Sequence, residues 1–82
     1  MILFCDTSAL VKLYIVEDSS DLMRMVAESA STIAVCRIVW AEAMAALARR
    51  LRENPADADG IEAVRTRLQI DWRSYAIIEV TQ

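Results

Sequence analysis

No histidine occurs among the 82 residues, which removes serine–histidine triads, imidazole general bases and most transition-metal sites from consideration. Cysteine occurs twice, as Cys5 and Cys36. Both lie inside apolar runs, where a free thiol behaves as a small hydrophobe, so neither a disulfide framework nor a zinc site is indicated. Glycine and proline occur once each, both within Asn54-Pro55-Ala56-Asp57-Ala58-Asp59-Gly60, the one strong loop signal in the chain. No stretch approaches the roughly 18 uninterrupted apolar residues of a membrane span, and no basic region precedes the N-terminal apolar run. A cytoplasmic location without a membrane partner is expected. Positive charge is in deficit, 9 Lys and Arg against 12 Asp and Glu for a net charge of −3. Nucleic-acid binding through bulk electrostatics is therefore not indicated, and a polyanionic substrate would need local help. Two arginine clusters, Arg49-Arg50-Arg52 and Arg65-Arg67-Arg73, read either as solvated helix faces that complement the C-terminal dipole or as a local basic surface.

The chain does not lack apolar residues, which make up 56% of it. That share is high for a domain too short to bury a large core, so some apolar surface is expected to be left for a partner. One domain, residues 1–82, is the most this length accommodates. Ile2-Leu3-Phe4-Cys5 is apolar at every position, as in a strand buried on both faces. Thr7-Ser8 then reads as the cap of a first helix, Ser8 to about Val16. Asp6 stands between them, at the C-terminal end of a strand, the edge where open parallel α/β sheets collect ligands and catalytic groups.

After the polar break Glu17-Asp18-Ser19-Ser20, a second helix is expected from Asp21 to about Ser29. A short strand follows at Thr32-Ile33-Ala34-Val35. A long helix then runs from Arg37 or Ile38 to Arg52, and a fourth from about Asp57 or Gly60 to Tyr75, with Ile61, Val64, Leu68 and Trp72 as its buried stripe. A last strand is expected at Ala76-Ile77-Ile78-Glu79-Val80. Strands alternating with helices indicate a parallel α/β arrangement. Three strands leave two edges unpaired, so the sheet looks cut short.

Glu42 is the single charged residue between Ile38 and Ala48. A helix apolar on nearly every side is expected to be buried, and an ionised carboxylate there is costly unless it meets a cation or faces a cleft. It either lies on a narrow exposed strip, pairs with Arg49 or another arginine, or forms a second acidic wall facing Asp6. In the last case the two would hold a hard divalent cation such as Mg²⁺ or Mn²⁺ through oxygen ligands. Trp40, Trp72 and Tyr75 are expected in the core or at an exposed seam.

The run Ile2-Leu3-Phe4-Cys5-Asp6-Thr7-Ser8-Ala9-Leu10-Val11-Lys12-Leu13-Tyr14, followed by Glu17, by Ala34-Val35-Cys36, by Trp40-Ala41-Glu42 and by Trp72-Arg73-Ser74-Tyr75 ahead of Val80-Thr81, resembles the N-terminal portion of a PIN domain of the VapC-like toxin branch. The resemblance implies a three-layer α/β fold with a short central parallel sheet of three strands and about four helices, truncated at its C-terminus. It also implies a Mg²⁺- or Mn²⁺-dependent ribonuclease site in which Asp6 matches the first acid and Glu42 the second. Ser8 matches a small polar residue that hydrogen-bonds within the site, although a role as helix cap serves it equally. Cys36 stands where relatives often carry serine or threonine.

The partners implied are an RNA substrate and a cognate antitoxin protein. The family's remaining metal-binding aspartates belong to a helix and strand that would follow Thr81-Gln82. Asp57, Asp59 and Asp71 occupy none of their positions and read as surface residues. Efficient hydrolysis from two acids is not expected, because half a site leaves the attacking water and leaving oxygen loosely held. An uncovered first strand leads to the expectation of a homodimer or higher oligomer. The alternatives are a non-catalytic oligomerising or antitoxin-binding module derived from a PIN domain, and an unrelated small α/β or mostly helical structural domain whose Asp6 and Glu42 never meet.

Overall fold

The computed structural model describes residues 1–15 and 20–79. Within them the elements run β1 (Ile2–Cys5), α1 (Thr7–Tyr14), α2 (Ser20–Ser29), β2 (Thr32–Cys36), α3 (Ile38–Glu53), a 3₁₀ turn (Pro55–Asp57), α4 (Ala58–Trp72) and β3 (Ala76–Ile78). The polar break at Glu17–Ser19, the Val16 end of the first helix and the Val80 end of the last strand lie outside the described residues. Each other expected element is present, its ends differing by a residue or a few. The chain is thus a mixed α/β globule with four helices and a three-stranded parallel sheet among the described residues, ordered β1-β2-β3. None of these helices is long and apolar enough to cross a membrane.

Both crossovers step the same way across the sheet, and right-handed connections of that kind place their helices on one face. Side-chain parity agrees. Leu3, Cys5, Ile33 and Val35, which alternate onto one face in register, join Leu10, Val39, Ala43 and Leu68 in the core. The opposite parity holds Ile2 and Phe4, 57% and 68% exposed, with Ile78 also exposed. Ala34, flanked in register by Phe4 and Ala76, is fully shielded there, and Thr32 and Cys36 are half-buried. Among the described residues the sheet therefore has one packed face and one open apolar face. The sequence expectation that Ile2–Cys5 is buried on both sides is corrected: an apolar run marks a strand, but burial of its second face requires a layer that these elements do not supply.

A second correction concerns α3. It buries one stripe, Val39, Ala43 and Leu47, whereas Ile38 is 66% exposed and Ala41, Glu42 and Ala45 face outward. Alanines expose so little apolar area that leaving them in water costs little, so a helix rich in alanine need not be enclosed. The stripe on α4 is as its spacing predicts, with Ile61 and Leu68 buried and Val64 and Trp72 half-buried. Trp72 sits between Trp40, 5.2 Å away at a tilt of 58°, and Tyr75, 6.2 Å away and edge-on. All three rings pack against the core, as expected for a structural seam.

Beyond the helix layer, the N- and C-terminal parts of the chain are stitched by backbone contacts. The Ser31 backbone N–H donates to the Met1 carbonyl at 2.7 Å, and the Arg37 N–H donates to the Ile78 carbonyl at 3.3 Å. The Arg37 guanidinium also pairs with Glu79, holding the start of α3 against the end of β3.

Candidate functional site

β1 ends at Cys5 and α1 begins at Thr7, leaving Asp6 as the joint between them. Its backbone is extended (φ −78°, ψ 177°), and its Oδ1 accepts a hydrogen bond from the Ala9 backbone N–H at 2.8 Å. Asp6 is thus itself the N-cap of α1, satisfying one of the helix's free donors. The expectation that Thr7-Ser8 caps this helix is corrected, and Ser8 is not the capping residue. The reason is local: a carboxylate one residue earlier, already extended as the strand ends, reaches the third residue of the helix.

Glu42 lies on the outer side of α3, one turn in, and its Oε1 accepts from the Thr7 hydroxyl at 2.9 Å. That bond links residues 35 apart in sequence and brings the acid of α3 to the start of α1. The hydroxyl that meets an acid is therefore Thr7's. Ser8 is exposed and its hydroxyl forms no hydrogen bond among the described residues. The sequence points to the Asp-Thr-Ser triplet, but which of its hydroxyls turns towards α3 depends on how α1 is rotated in the assembled layer, and nothing local specifies that.

Asp6 and Glu42 line one open cleft of about 820 Å³, together with Thr7 and Ser8. Its other walls are apolar, formed by Phe4, Cys36, Ile38 and Ile78. Cys5, Cys36 and Ile78 are the last residues of their strands, so the cleft opens along the C-terminal edge of the sheet, where sequence reasoning placed Asp6. Neither acid has an ion-pair partner among the described residues, and the alternative pairing of Glu42 with Arg49 is not formed. Burial, with the Asp6 charge adding to it, pushes the Cys5 thiol up, so this residue stays a neutral part of the wall. Both cysteines are free.

Hard oxygen donors suit Mg²⁺ or Mn²⁺ in kind, and one or two carboxylates with retained waters are an ordinary Mg²⁺ environment. Each acid has one carboxylate oxygen engaged, by Ala9 N–H or by Thr7, and one left over. Among the described residues no group of three or more acidic or cysteine side chains comes together to hold an ion. The arrangement is a pair of acids, matching the two that the sequence supplies at this edge.

Asp57 and Asp59 are exposed, as expected of surface residues. Asp71 is not, and its surface assignment is corrected. Its side chain is 25% exposed and pairs with Arg67 at 3.3 Å, while its Oδ2 accepts from the Tyr14 hydroxyl at 2.8 Å. The Tyr14 hydroxyl also contacts that of Tyr75. Burial first, then the Tyr75 and Asp71 hydrogen bonds, push the Tyr14 phenol well above the ordinary tyrosine range. Tyr75 is raised too, mainly by burial. Sequence reasoning missed this cluster because its members, Tyr14, Arg67, Asp71 and Tyr75, meet across 57 and 61 residues. Only Arg67 and Asp71, spaced as neighbours on a helix, carried a local signal.

No family model matches the chain, and no curated protein matches it.

Proposed function

We propose that this chain is a PIN-type endoribonuclease of the toxin–antitoxin kind, hydrolysing RNA phosphodiesters with Mg²⁺ or Mn²⁺, and feebly active with the two acids it brings to one cleft. The observation that carries the reading is the convergence of Asp6 and Glu42, from different elements, on one open cleft at the C-terminal edge of a parallel sheet. Asp6 and Glu42 would hold the cation with their free oxygens. Bound there, it would supply a lowered water pKa and charge neutralisation at the phosphate. This chain's own residues do the positioning. The cap bond to Ala9 fixes Asp6, and Thr7 steadies Glu42. Phe4, Ile38 and Ile78 give the cleft its apolar walls. Ser8, with its hydroxyl uncommitted, would be a neutral donor at the cleft for a phosphate oxygen.

Weakness follows from the same geometry. Two exposed acids give a shallow electrostatic well and leave the nucleophile and leaving group free to wander. The third layer of a PIN-like fold would lie against the open Ile2, Phe4 and Ile78 face, and that face favours a second reading. In it the chain is a non-catalytic module that pairs with a second copy or with an antitoxin, burying the exposed apolar residues and the β1 edge.

Calorimetric titration of Mn²⁺ separates the two. The first reading expects weak binding, as two carboxylates with retained waters would give, lost in both Asp6→Asn and Glu42→Gln. Binding that is absent, or unchanged in either variant, would sink the nuclease reading and leave the interaction module.

A further inference from the structure

A second groove, of about 580 Å³, begins where the acid cleft ends. Thr7 and Ser8 line both, and from them the second groove runs between α1 and α3 past Val11, Ala46, Arg49, Arg50, Glu53 and Asn54. Along α3 the sequence spacing explains this continuity. Arg49 stands seven residues after Glu42, two helical turns on and about 10 Å along the axis, so the acid and the arginine share one side of the helix. The groove thus passes from two carboxylates, over two hydroxyls, to a guanidinium.

We propose that this groove seats the phosphodiester backbone of a single-stranded RNA, with Arg49 as the cation that holds a phosphate one or more nucleotides away from the acid cleft. The proposal rests on the reading of Asp6 and Glu42 as a phosphodiester site and adds a binding surface to it. Electrostatics supply the motive. A chain of net charge −3 that presents two carboxylates without a paired cation repels a polyanion, so a strand is retained only if a cation lies within its reach.

Most of the other described arginines near acids are already committed. Arg37 pairs with Glu79, Arg24 with Asp21, Arg65 with Glu62 and Arg67 with Asp71. Arg49 is exposed and forms no ion pair among the described residues, although Glu53 lies one turn on in the same groove. That glutamate closes the far end to anions, so the phosphate seat falls between Ser8 and Arg49. A guanidinium is suited to the task because its planar donors match two phosphate oxygens at once.

The test is fluorescence anisotropy of the intact chain with a short labelled single-stranded RNA at low salt in EDTA, where no divalent cation bridges RNA to the acids and no cleavage follows. Wild type is expected to bind. Arg49→Gln should weaken binding about five- to tenfold and reduce the slope of log K against log salt by about 0.7, the share of one phosphate contact on a single strand. Arg49→Lys should restore most of the slope, and Arg65→Gln, on α4, should change neither quantity. Wild type that fails to bind, an Arg49→Gln variant with unchanged slope, or an equal loss in Arg65→Gln would each overturn the groove. None of these results bears on Mn²⁺ binding by Asp6 and Glu42. Loss of the metal titration alone would remove the acid-site reading while leaving the groove measured on its own terms.

Discussion

Two carboxylates in this molecule each accept a hydrogen bond from a hydroxyl on α1, yet they belong to different kinds of place. Glu42 meets Thr7 at the rim of an open cleft, exposed and with no cation beside it among the described residues. Asp71 meets Tyr14 under partial cover, with Arg67 on its other oxygen and a second phenol closing the cluster. Charge and burial decide the difference. A half-buried acid with a cation on one oxygen and a phenol hydroxyl on the other has both oxygens engaged inside the fold, so its role is to hold α1 and α4 together, with Tyr75 tied in through Tyr14. An exposed acid held by one hydroxyl retains a free oxygen and its full charge, so it is available to something from outside. The candidate site's acids face water, whereas the cluster's phenols are half-buried.

The sharpest way to break the comparison is to remove each acid in turn. Asp71→Ala is expected to cost about 1–3 kcal/mol, since it leaves the Tyr14 hydroxyl and the Arg67 guanidinium without their partner in a partly desolvated place. For a domain of this size that corresponds to a fall in Tm of very roughly 5–20 °C. Glu42→Gln keeps an acceptor for Thr7 and should stay within about 0.5 kcal/mol of wild type. Thermal or urea denaturation measures both. Equal losses would mean that Glu42 also serves the fold, and the division drawn between the two regions would fail.

Asp6 sits on the boundary of that division, because it both caps α1 and lines the cleft. The two roles separate chemically. Asparagine caps as well as aspartate does, so Asp6→Asn should leave stability within a few tenths of a kcal/mol, whereas Asp6→Ala should cost about 1 kcal/mol. Metal binding, which needs the charge, should be lost in both. An Asp6→Asn variant as unstable as Asp6→Ala would show that the negative charge at the helix N-terminus, not the capping bond, is what the fold uses.

How far these regions could be read from sequence follows from how local their causes are. Asp6 was legible because the apolar run before it and the helical pattern after it fix its place at a strand end. Glu42 was legible as an isolated charge in an apolar stretch. The reason given for it, enclosure of the helix, did not hold, since alanines tolerate exposure. What the sequence could not supply were matters of assembly. The rotation of α1 that selects Thr7 over Ser8 and the meeting of Tyr14 with Asp71 both depend on how the helix layer docks, and no short-range pattern records that, whereas the apolar surplus and the unpaired first strand did signal the open Ile2 and Phe4 face. The groove at Arg49 is intermediate. The arginine cluster was visible, but its alignment with Glu42 gains meaning only when α1 closes the other wall.

The smallest expected effect concerns alkaline pH and tests the buried side of the comparison. Tyr14 in the fold holds its proton above the ordinary tyrosine value of 10.0, with burial as the largest cause. The unfolded chain therefore releases this proton first as pH rises. The folded state binds more protons than the unfolded one in that range, so stability is fully present below about pH 10 and declines above it. Tyr14→Phe removes one such phenol while keeping the ring in place. At pH 7 the variant should be slightly less stable than wild type, by the net value of the lost hydrogen bonds, about 1 kcal/mol. Half a unit above pH 10 the gap should narrow by somewhat under 1 kcal/mol, because the variant no longer carries that titration. Urea denaturation of both chains across pH 8 to 10.5 would record it. Parallel curves would mean that the Tyr14 hydroxyl is open to water, and the enclosure that distinguishes its carboxylate partner from Glu42 would have to be given up.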